Sequence, residues 1–203
     1  MRDHLPVVLA ITGASGAPYA VRLLRALVDA ERPVQLIVSS HGWRLLRTEC
    51  AIADEGALRA YVGDAAWDRH VTACDDRDRG ARPASGSALT AGMVICPCSM
   101  GTLASIVAGT SRSLVERAAD VTLKERRPLI VVPRETPLSM IHLENMLRLT
   151  TAGGIVMPAA PGFYHGPTAI SDLVDFVVAR VLDHLHVEHD VGRRWTGEGP
   201  HDE

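Results

Sequence analysis

The chain has 203 residues, of which 47% are hydrophobic and 22% are charged, a composition typical of one globular domain. A net charge of −3 without a long basic run argues against nucleic-acid binding. The first apolar run, of about seven residues, is too short to span a membrane and lacks the layout of a signal peptide, which predicts a cytoplasmic protein without membrane association.

Short apolar runs alternate with amphipathic segments along most of the chain. The predicted strands are Val7–Ile11, Val34–Val38, 93–96, 129–132 and 155–157. The first predicted helix carries Ala20, Leu23, Leu24 and Leu27 on one side, and further helices are predicted over 45–49, 55–62, 102–107, 114–123, 141–151 and 173–185. Apolar strands that alternate with helices predict a single α/β domain, a doubly wound, flavodoxin- or Rossmann-like parallel sheet with helices on both faces.

Two segments depart from this alternation. Residues 64–82 are rich in Asp and Arg and are expected to form a mobile, solvated loop. Their Asp75-Asp76-Arg77-Asp78 run is similar to a Mg²⁺-binding aspartate motif, but Arg79 stands where that motif ends in Asp, which argues against a metal site. The polar residues after 187 predict a domain over 1–187 and a tail over 188–203.

Histidines and cysteines do not predict a metal centre either. The tail's candidate ligands, which are attributed to a solvated segment, are His184, His186, His189 and Asp190. His165 is expected to be buried with its hydrogen bonds satisfied. The four cysteines form no spaced pairs, and Cys96-Pro97-Cys98 lacks a second pair of ligands, so free thiols are expected.

Two small-residue loops each follow a predicted strand and precede a helix. In Gly13-Ala14-Ser15-Gly16-Ala17, free backbone amides and the helix dipole favour a phosphate, although the loop matches neither a P-loop nor the three-glycine dinucleotide pattern. Cys98-Ser99-Met100-Gly101-Thr102 is a second loop of this kind. Two such loops suit one flat, phosphorylated ligand, while the alternatives are a tight turn at the first and a helix N-cap at Ser99.

The segment from Arg117 to Pro137 brackets a predicted strand with a basic helix end and an Arg-Glu turn. The dipole favours cations near a helix C-terminus, so Arg126 and Arg127 are expected on the solvated surface. Arg134 and Glu135 follow the carboxyl end of a strand and have a Pro on each side, which favours a role in ligand binding.

Five motifs in order resemble the UbiX-type flavin prenyltransferases over about residues 7–185. They are the glycine-serine loop, the Cys-Ser-x-Gly-Thr-Leu turn, the Arg-Ala-Ala-Asp-Val-x-Leu-Lys-Glu-Arg-Arg-Pro-Leu helix end, the Pro-Arg-Glu-Thr-Pro turn and Pro161-Gly162-Phe163-Tyr164-His165.

The resemblance implies a role for individual residues. Contacts to FMN are implied for Gly13, Ala14, Ser15, Ser39, Ser99, Met100, Gly101, Thr102, Arg117 and Arg134. Binding of dimethylallyl phosphate is implied for Lys124, Arg134, Tyr164 and Arg180. Catalytic roles are implied for Ser15, Glu49, Lys124 and Glu135, with the two glutamates as an acid–base pair.

The implied reaction joins a dimethylallyl group to reduced FMN and supplies prenylated FMN to a UbiD-like decarboxylase. Cations and a tyrosine hydroxyl can stabilise the charge that develops on the phosphate, so no metal is expected. The resemblance also implies a homo-oligomer, of which a dodecamer is one form. Two alternatives stay open: a non-catalytic flavin-binding subunit of an aromatic-acid decarboxylase, and a flavin-dependent enzyme similar to cysteine decarboxylases.

Overall fold

The computed structural model describes residues 4–192. Its centre is one sheet of six parallel strands in the order β3-β2-β1-β4-β5-β6. The strands are β1 (Val7–Ile11), β2 (Val34–Val38), β3 (Val71–Asp75), β4 (Gly92–Cys98), β5 (Leu129–Pro133) and β6 (Ile155–Val156). The chain reverses its direction of travel across the sheet between β1 and β4, which makes the carboxyl ends of these two strands the switch point where such folds bind ligands. The predicted doubly wound α/β fold is confirmed.

Helices cover both faces of the sheet. They are α1 (Ala17–Asp29), α2 (Ser40–Cys50), α3 (Glu55–Val62), α4 (Asp64–His70), α5 (Met100–Ala108), α6 (Leu114–Lys124), α7 (Met140–Thr151) and α8 (Ile170–His184). Alternate residues of β1 enter different cores: Leu9 packs in the cluster that contains the apolar sides of α1 and α8, and Val8 in the cluster that contains those of α5 and α6. Consequently α6 and α8 lie on opposite faces.

The expected loop over 64–82 is wrong in its first half, because α4 and the edge strand β3 occupy residues 64–75. Trp67 is buried at 5% exposure and anchors α4, while β3 pairs in register with β2. Thr72, Ala73 and Asp75 of β3 are exposed. An edge strand with so few buried side chains carries little of the apolar signal from which the central strands were predicted.

Part of the predicted polar tail is packed against the domain. Val187 is buried at 4% exposure, and Val191 contacts the same core. Residues 193–203 of the tail lie outside the described residues, and the domain boundary at 187 stays a prediction.

None of the helices within residues 4–192 is both long and apolar enough to cross a bilayer.

Candidate functional site

Thr12 joins the two loops at the switch point. Its side chain, 2% exposed, donates to the carbonyl of Pro97 over 3.0 Å and accepts from the amide of Ser99 over 2.9 Å. The ends of β1 and β4 are thereby held side by side. Sequence reasoning missed Thr12, and the signal that could have found it is a buried hydroxyl directly after an apolar strand.

The loop after β4 starts α5 and leaves an open face. Ser99 Oγ accepts from the amide of Thr102 over 3.2 Å and lies 2.9 Å from its hydroxyl, so Ser99 is the N-cap of the helix. A methyl group added at Gly101 would find its nearest atom 4.0 Å away, so there is room for a ligand above this turn. The side chain of Met100 is buried at 7% exposure, so only its backbone faces the loop.

Two amides of the loop after β1, where the sequence predicts free amides, are already hydrogen-bonded. Glu49 Oε2, in the last turn of α2, accepts from the amides of Gly16 and Ala17, each over 2.8 Å. The start of α1 therefore does hold an anion, but at these two amides the anion is a carboxylate of the chain itself, and phosphate binding by the loop stays a prediction. Since long-range packing of α2 on α1 creates this contact, no local pattern reveals it.

Glu49 is ionised in this position. Partial burial alone would raise the pKa of its carboxyl, but hydrogen bonds from the Gly16 amide, the Ser15 hydroxyl and the Ala17 amide, together with the charge of Arg134, lower the pKa below its ordinary value. At neutral pH Glu49 is therefore a carboxylate that accepts hydrogen bonds from this loop and has no proton to donate.

Close backbone packing brings α2 to this loop. A Cβ at Gly13 would lie 2.6 Å from the Cβ of His41, and a Cβ at Gly42 would collide with the carbonyl oxygen of Ile11. Ser39 caps α2 by accepting from the Gly42 amide over 3.0 Å. The glycines therefore allow the start of α2 to lie against the end of β1.

Arg134 and Glu135 follow the carboxyl end of β5, on the same side of the sheet as the loops after β1 and β4. Arg134 Nε donates to the carbonyl oxygen of Ser15 over 3.2 Å. Glu135 is exposed, and its carboxylate accepts from the amide of the adjacent Thr136 over 3.1 Å. Ser15, Glu49 and Arg134 thus form one cluster at the switch point.

Arg117 lies in the first turn of α6, with NH1 2.8 Å from a carboxylate oxygen of Asp120. The start of α6 is fixed by Asp76, whose carbonyl and side chain accept from the amides of Leu114 and Val115 over 2.7 and 3.0 Å. Asp76 therefore has a structural role in the aspartate-rich run.

Lys124 lies near the amino ends of the strands, whereas the cluster of Ser15, Glu49 and Arg134 lies at their carboxyl ends. It is the last residue of α6, and β5 begins only five positions later at Leu129. The five residues of β5 span roughly 15 Å, and this length separates Lys124 from the residues at the carboxyl ends of the strands. Its ammonium group is 2.5 Å from Glu125, and a Cβ at Gly86 would meet both side chains.

The solvated position expected for Arg127 is wrong. Its guanidinium donates to the carbonyls of Gly86 and Ala88 over 2.6 and 2.8 Å, which holds the 86–88 loop beside Lys124. Arg126 is exposed, as expected. The helix dipole explains only why a cation is favoured at the end of its own helix, and it does not predict that a distant loop supplies carbonyl acceptors for Arg127.

Tyr164 and Arg180 line one cavity of about 360 Å³ beside α8, together with Asp183 and His189. Tyr164 packs edge-on against His165 and Phe176, with ring centroids 5.8 and 5.7 Å apart. Because α8 and α6 cover opposite faces, one chain does not bring these residues together with Lys124.

His165 differs from the expectation of a satisfied histidine. Its ring stacks on Phe176 with centroids 5.5 Å apart, and both ring nitrogens are buried without a hydrogen-bond partner among the described residues.

Among residues 4–192, no group of three or more His, Cys, Asp or Glu side chains is arranged to hold a metal ion. All four cysteines are free, and burial raises the pKa of the Cys98 thiol to about 12, so this thiol is protonated and packs as an apolar group.

Comparison with known proteins gives consistent matches over most of the chain. Residues 1–182 match the family model described as Flavoprotein. A curated relative named flavin prenyltransferase UbiX, from Pseudomonas aeruginosa, is 50% identical over 196 residues, covering 93% of each chain.

Solved structures agree with this match. AnUbiX (PadA1), solved in complex with FMN and dimethylallyl pyrophosphate, has a TM-score of 0.86 and 38% identity, with 96% of this chain and 99% of that chain covered. A dodecameric FMN-dependent UbiX-like decarboxylase from Escherichia coli O157:H7 has a TM-score of 0.87 and 42% identity, with 95% and 100% covered.

Proposed function

The chain belongs to the Flavoprotein family and, within it, to the UbiX-type flavin prenyltransferases, and on this basis we propose that it joins a dimethylallyl group to reduced FMN. The observation that carries the proposal is the pair of loops at the switch point, with Ser15, Glu49 and Arg134 clustered beside an open helix start at Gly101. Prenylated FMN, the product, is proposed to be the cofactor of a UbiD-like decarboxylase.

The residues present fit FMN. The open space above Gly101 admits a ligand, and the hydroxyls of Ser99 and Thr102 stand beside it. The proposed contacts are Gly13, Ala14, Ser15, Ser39, Ser99, Met100, Gly101, Thr102, Arg117 and Arg134. When bound, reduced FMN supplies the nucleophilic nitrogen and the adjacent ring carbon to which the dimethylallyl group is joined.

Protein side chains are proposed to stabilise the leaving phosphate. Lys124, Arg134 and Arg180 carry positive charge, and the Tyr164 hydroxyl can donate a hydrogen bond, so together they can offset charge that develops as the carbon–oxygen bond of the donor breaks. We expect turnover without an added divalent cation for this reason.

Proton removal is proposed to pass through Ser15. Its hydroxyl interacts with Glu49, which the lowered pKa keeps as a carboxylate at neutral pH, so Glu49 can orient the hydroxyl as the proton passes. Glu135, on the same edge, is the proposed second member of the acid–base pair.

We further propose that the complete site forms only in a homo-oligomer. Lys124 lies near the amino ends of the strands, away from the FMN loops, and on the other face of the sheet from Arg180, so Lys124 must meet the FMN loops of another copy. An exposed apolar strip on α7, formed by Met140, Ile141 and Leu147 at 70%, 68% and 67% exposure, also favours burial on assembly. The dodecameric relative provides one form for this assembly.

A cytoplasmic location is part of the proposal, since four free thiols fit a reducing compartment.

The proposal is tested by offering dimethylallyl monophosphate and diphosphate separately, with reduced FMN and no oxygen, and following loss of the flavin substrate. We expect turnover with at least one donor. A peptide that ends in cysteine, offered with oxidised FMN, tests the rival activity: its oxidative decarboxylation would contradict the proposal, and flavin binding without any turnover would favour the accessory subunit.

A further inference from the structure

A chain of hydrogen bonds reaches Arg180 from the segment that follows α8. Arg180 NH1 donates to Asp183 Oδ2 over 3.0 Å, one helical turn along α8. The second oxygen of the same carboxylate, Oδ1, lies 3.3 Å from His189 Nε2. Asp183 thus connects an arginine of the helix to a histidine beyond its end.

The backbone fixes which nitrogen of His189 carries the hydrogen. The amide of Val191 donates to His189 Nδ1 over 3.1 Å, so Nδ1 must accept and cannot itself be protonated. In the neutral ring the hydrogen is then on Nε2, which faces Asp183. The geometry makes His189 a donor to the carboxylate.

Burial decreases along this chain toward Arg180. The side chains of His189, Asp183 and Arg180 are 3%, 24% and 54% exposed. The enclosed histidine is therefore the rigid end, and the arginine is the end that a ligand can reach. This burial also corrects the expectation that His189 belongs to a solvated tail.

An arginine that binds phosphate benefits from such support. Its long side chain has many rotamers, and holding one of them in advance reduces the entropy lost when a ligand binds. One N–H of the guanidinium is directed to Asp183, and the group has five donors in a planar fork that suits phosphate oxygens.

We propose that His189 and Asp183 are positioning residues, which hold Arg180 in the orientation that binds the phosphate of the prenyl donor. The proposal rests on the proposed prenyltransferase function. The position of Asp183 and His189 beside Tyr164 and Arg180 in one cavity of about 360 Å³ supports it, since Tyr164 is the other proposed phosphate contact on this face.

The test compares two substitutions at His189 with a control at His186, using the full-length protein. His189→Leu fills a similar volume but cannot donate, and we expect kcat/KM for the dimethylallyl donor to fall about tenfold, mainly through KM, because a hydrogen bond to a charged group is lost. His189→Gln retains a donor and should recover most of the loss. FMN affinity should not change in either variant.

The control is His186→Asn, because His186 is exposed with a backbone φ of 55°, a conformation that Asn tolerates. It should leave KM at the wild-type value. If His189→Leu fails to fold, Asp183→Asn tests the same connection and should raise KM for the donor to a similar extent.

A double variant separates positioning from general stability. In an Arg180→Ala background, His189→Leu should raise KM no further, since the residue on which it acts is gone. A tenfold rise in that background, or an unchanged KM in the single His189→Leu variant, would overturn the inference while leaving the proposed function intact. Lack of any prenyl transfer by the wild-type protein would overturn both.

Discussion

Glu49 Oε2 lies 2.8 Å from the amide nitrogen of Gly16, so a carboxylate from α2 occupies the start of α1. A helix N-terminus attracts anions, and this contact uses that attraction within the protein. The same contact holds the loop that contains Ser15, so it stabilises the fold and also positions Ser15 in the site.

The lowered pKa of Glu49 predicts a stability that depends on pH. A carboxyl whose pKa is lower in the folded than in the unfolded chain stabilises the fold above its unfolded pKa, and this contribution is lost as the pH falls through the folded pKa. At pH 7, Glu49→Gln should lower the Tm by roughly 3 °C. The difference between the variant and the wild type should shrink as the pH is lowered through the acidic range.

Thermal unfolding at a series of pH values measures this difference, and Glu188→Gln, at an exposed position after α8, is the control, which should leave the Tm unchanged. A difference that stays constant with pH would mean that ionised Glu49 does not stabilise the start of α1.

Glycines 13 and 101 should respond differently to a methyl group. Gly13→Ala places a Cβ 2.6 Å from His41, so it should lower both the Tm and the affinity for FMN. In Gly101→Ala the nearest atom to the added methyl group is 4.0 Å away, so the Tm should not fall, while the methyl group would occupy the proposed FMN site and weaken binding about tenfold. Calorimetry of FMN binding with parallel unfolding scans distinguishes the two, and tight FMN binding by Gly101→Ala would place the ligand elsewhere.

Arg127→Ala should disturb the loop beside Lys124. Removing the guanidinium leaves the carbonyls of Gly86 and Ala88 without their donor and should cost about 2 kcal/mol of stability. KM for the prenyl donor should rise as well, because the loop supports Lys124. Arg126→Asn is a matched control, since Arg126 is exposed and has a φ of 56°. Equal effects of the two changes on denaturant unfolding would show that the loop contacts are unimportant.

A site shared between copies predicts that two inactive variants complement each other. Lys124→Ala and Glu49→Gln should each reduce prenyl transfer at least tenfold in homogeneous preparations. Co-expressed chains would form mixed oligomers in which some sites take an intact Lys124 from one copy and an intact Glu49 from another, so part of the activity should return. Activity of the mixed oligomers no higher than that of the two separate variants would show that each chain supplies its own site.

Much of the fold was predictable because central strands such as β1 are apolar throughout, and the bounds Val7–Ile11 and Val34–Val38 are those of the structure. Helix α3, over Glu55–Val62, was also predicted with its full bounds. Strand β3 was missed, since at the edge of the sheet its packing depends on β2 rather than on its own apolar content.

The sequence predicts a set of site residues, but not how the fold arranges them. Glu49 accepts from an amide at the start of α1, and Asp183 connects Arg180 with His189. These hydrogen bonds join separate segments of the chain and leave no local pattern in the sequence. The separation of Lys124 from Arg134 follows only from the direction of α6 relative to β5.

The most direct test of the proposed function is the mass of the flavin after reaction. The protein would be mixed without oxygen or Mg²⁺ with reduced FMN and either dimethylallyl monophosphate or dimethylallyl diphosphate, in separate reactions, and the flavin recovered for mass spectrometry. A gain of one isoprenyl unit is the predicted result. Unchanged FMN with both donors, from a preparation that binds FMN tightly, would contradict prenyl transfer and leave the chain as a flavin-binding protein with another activity.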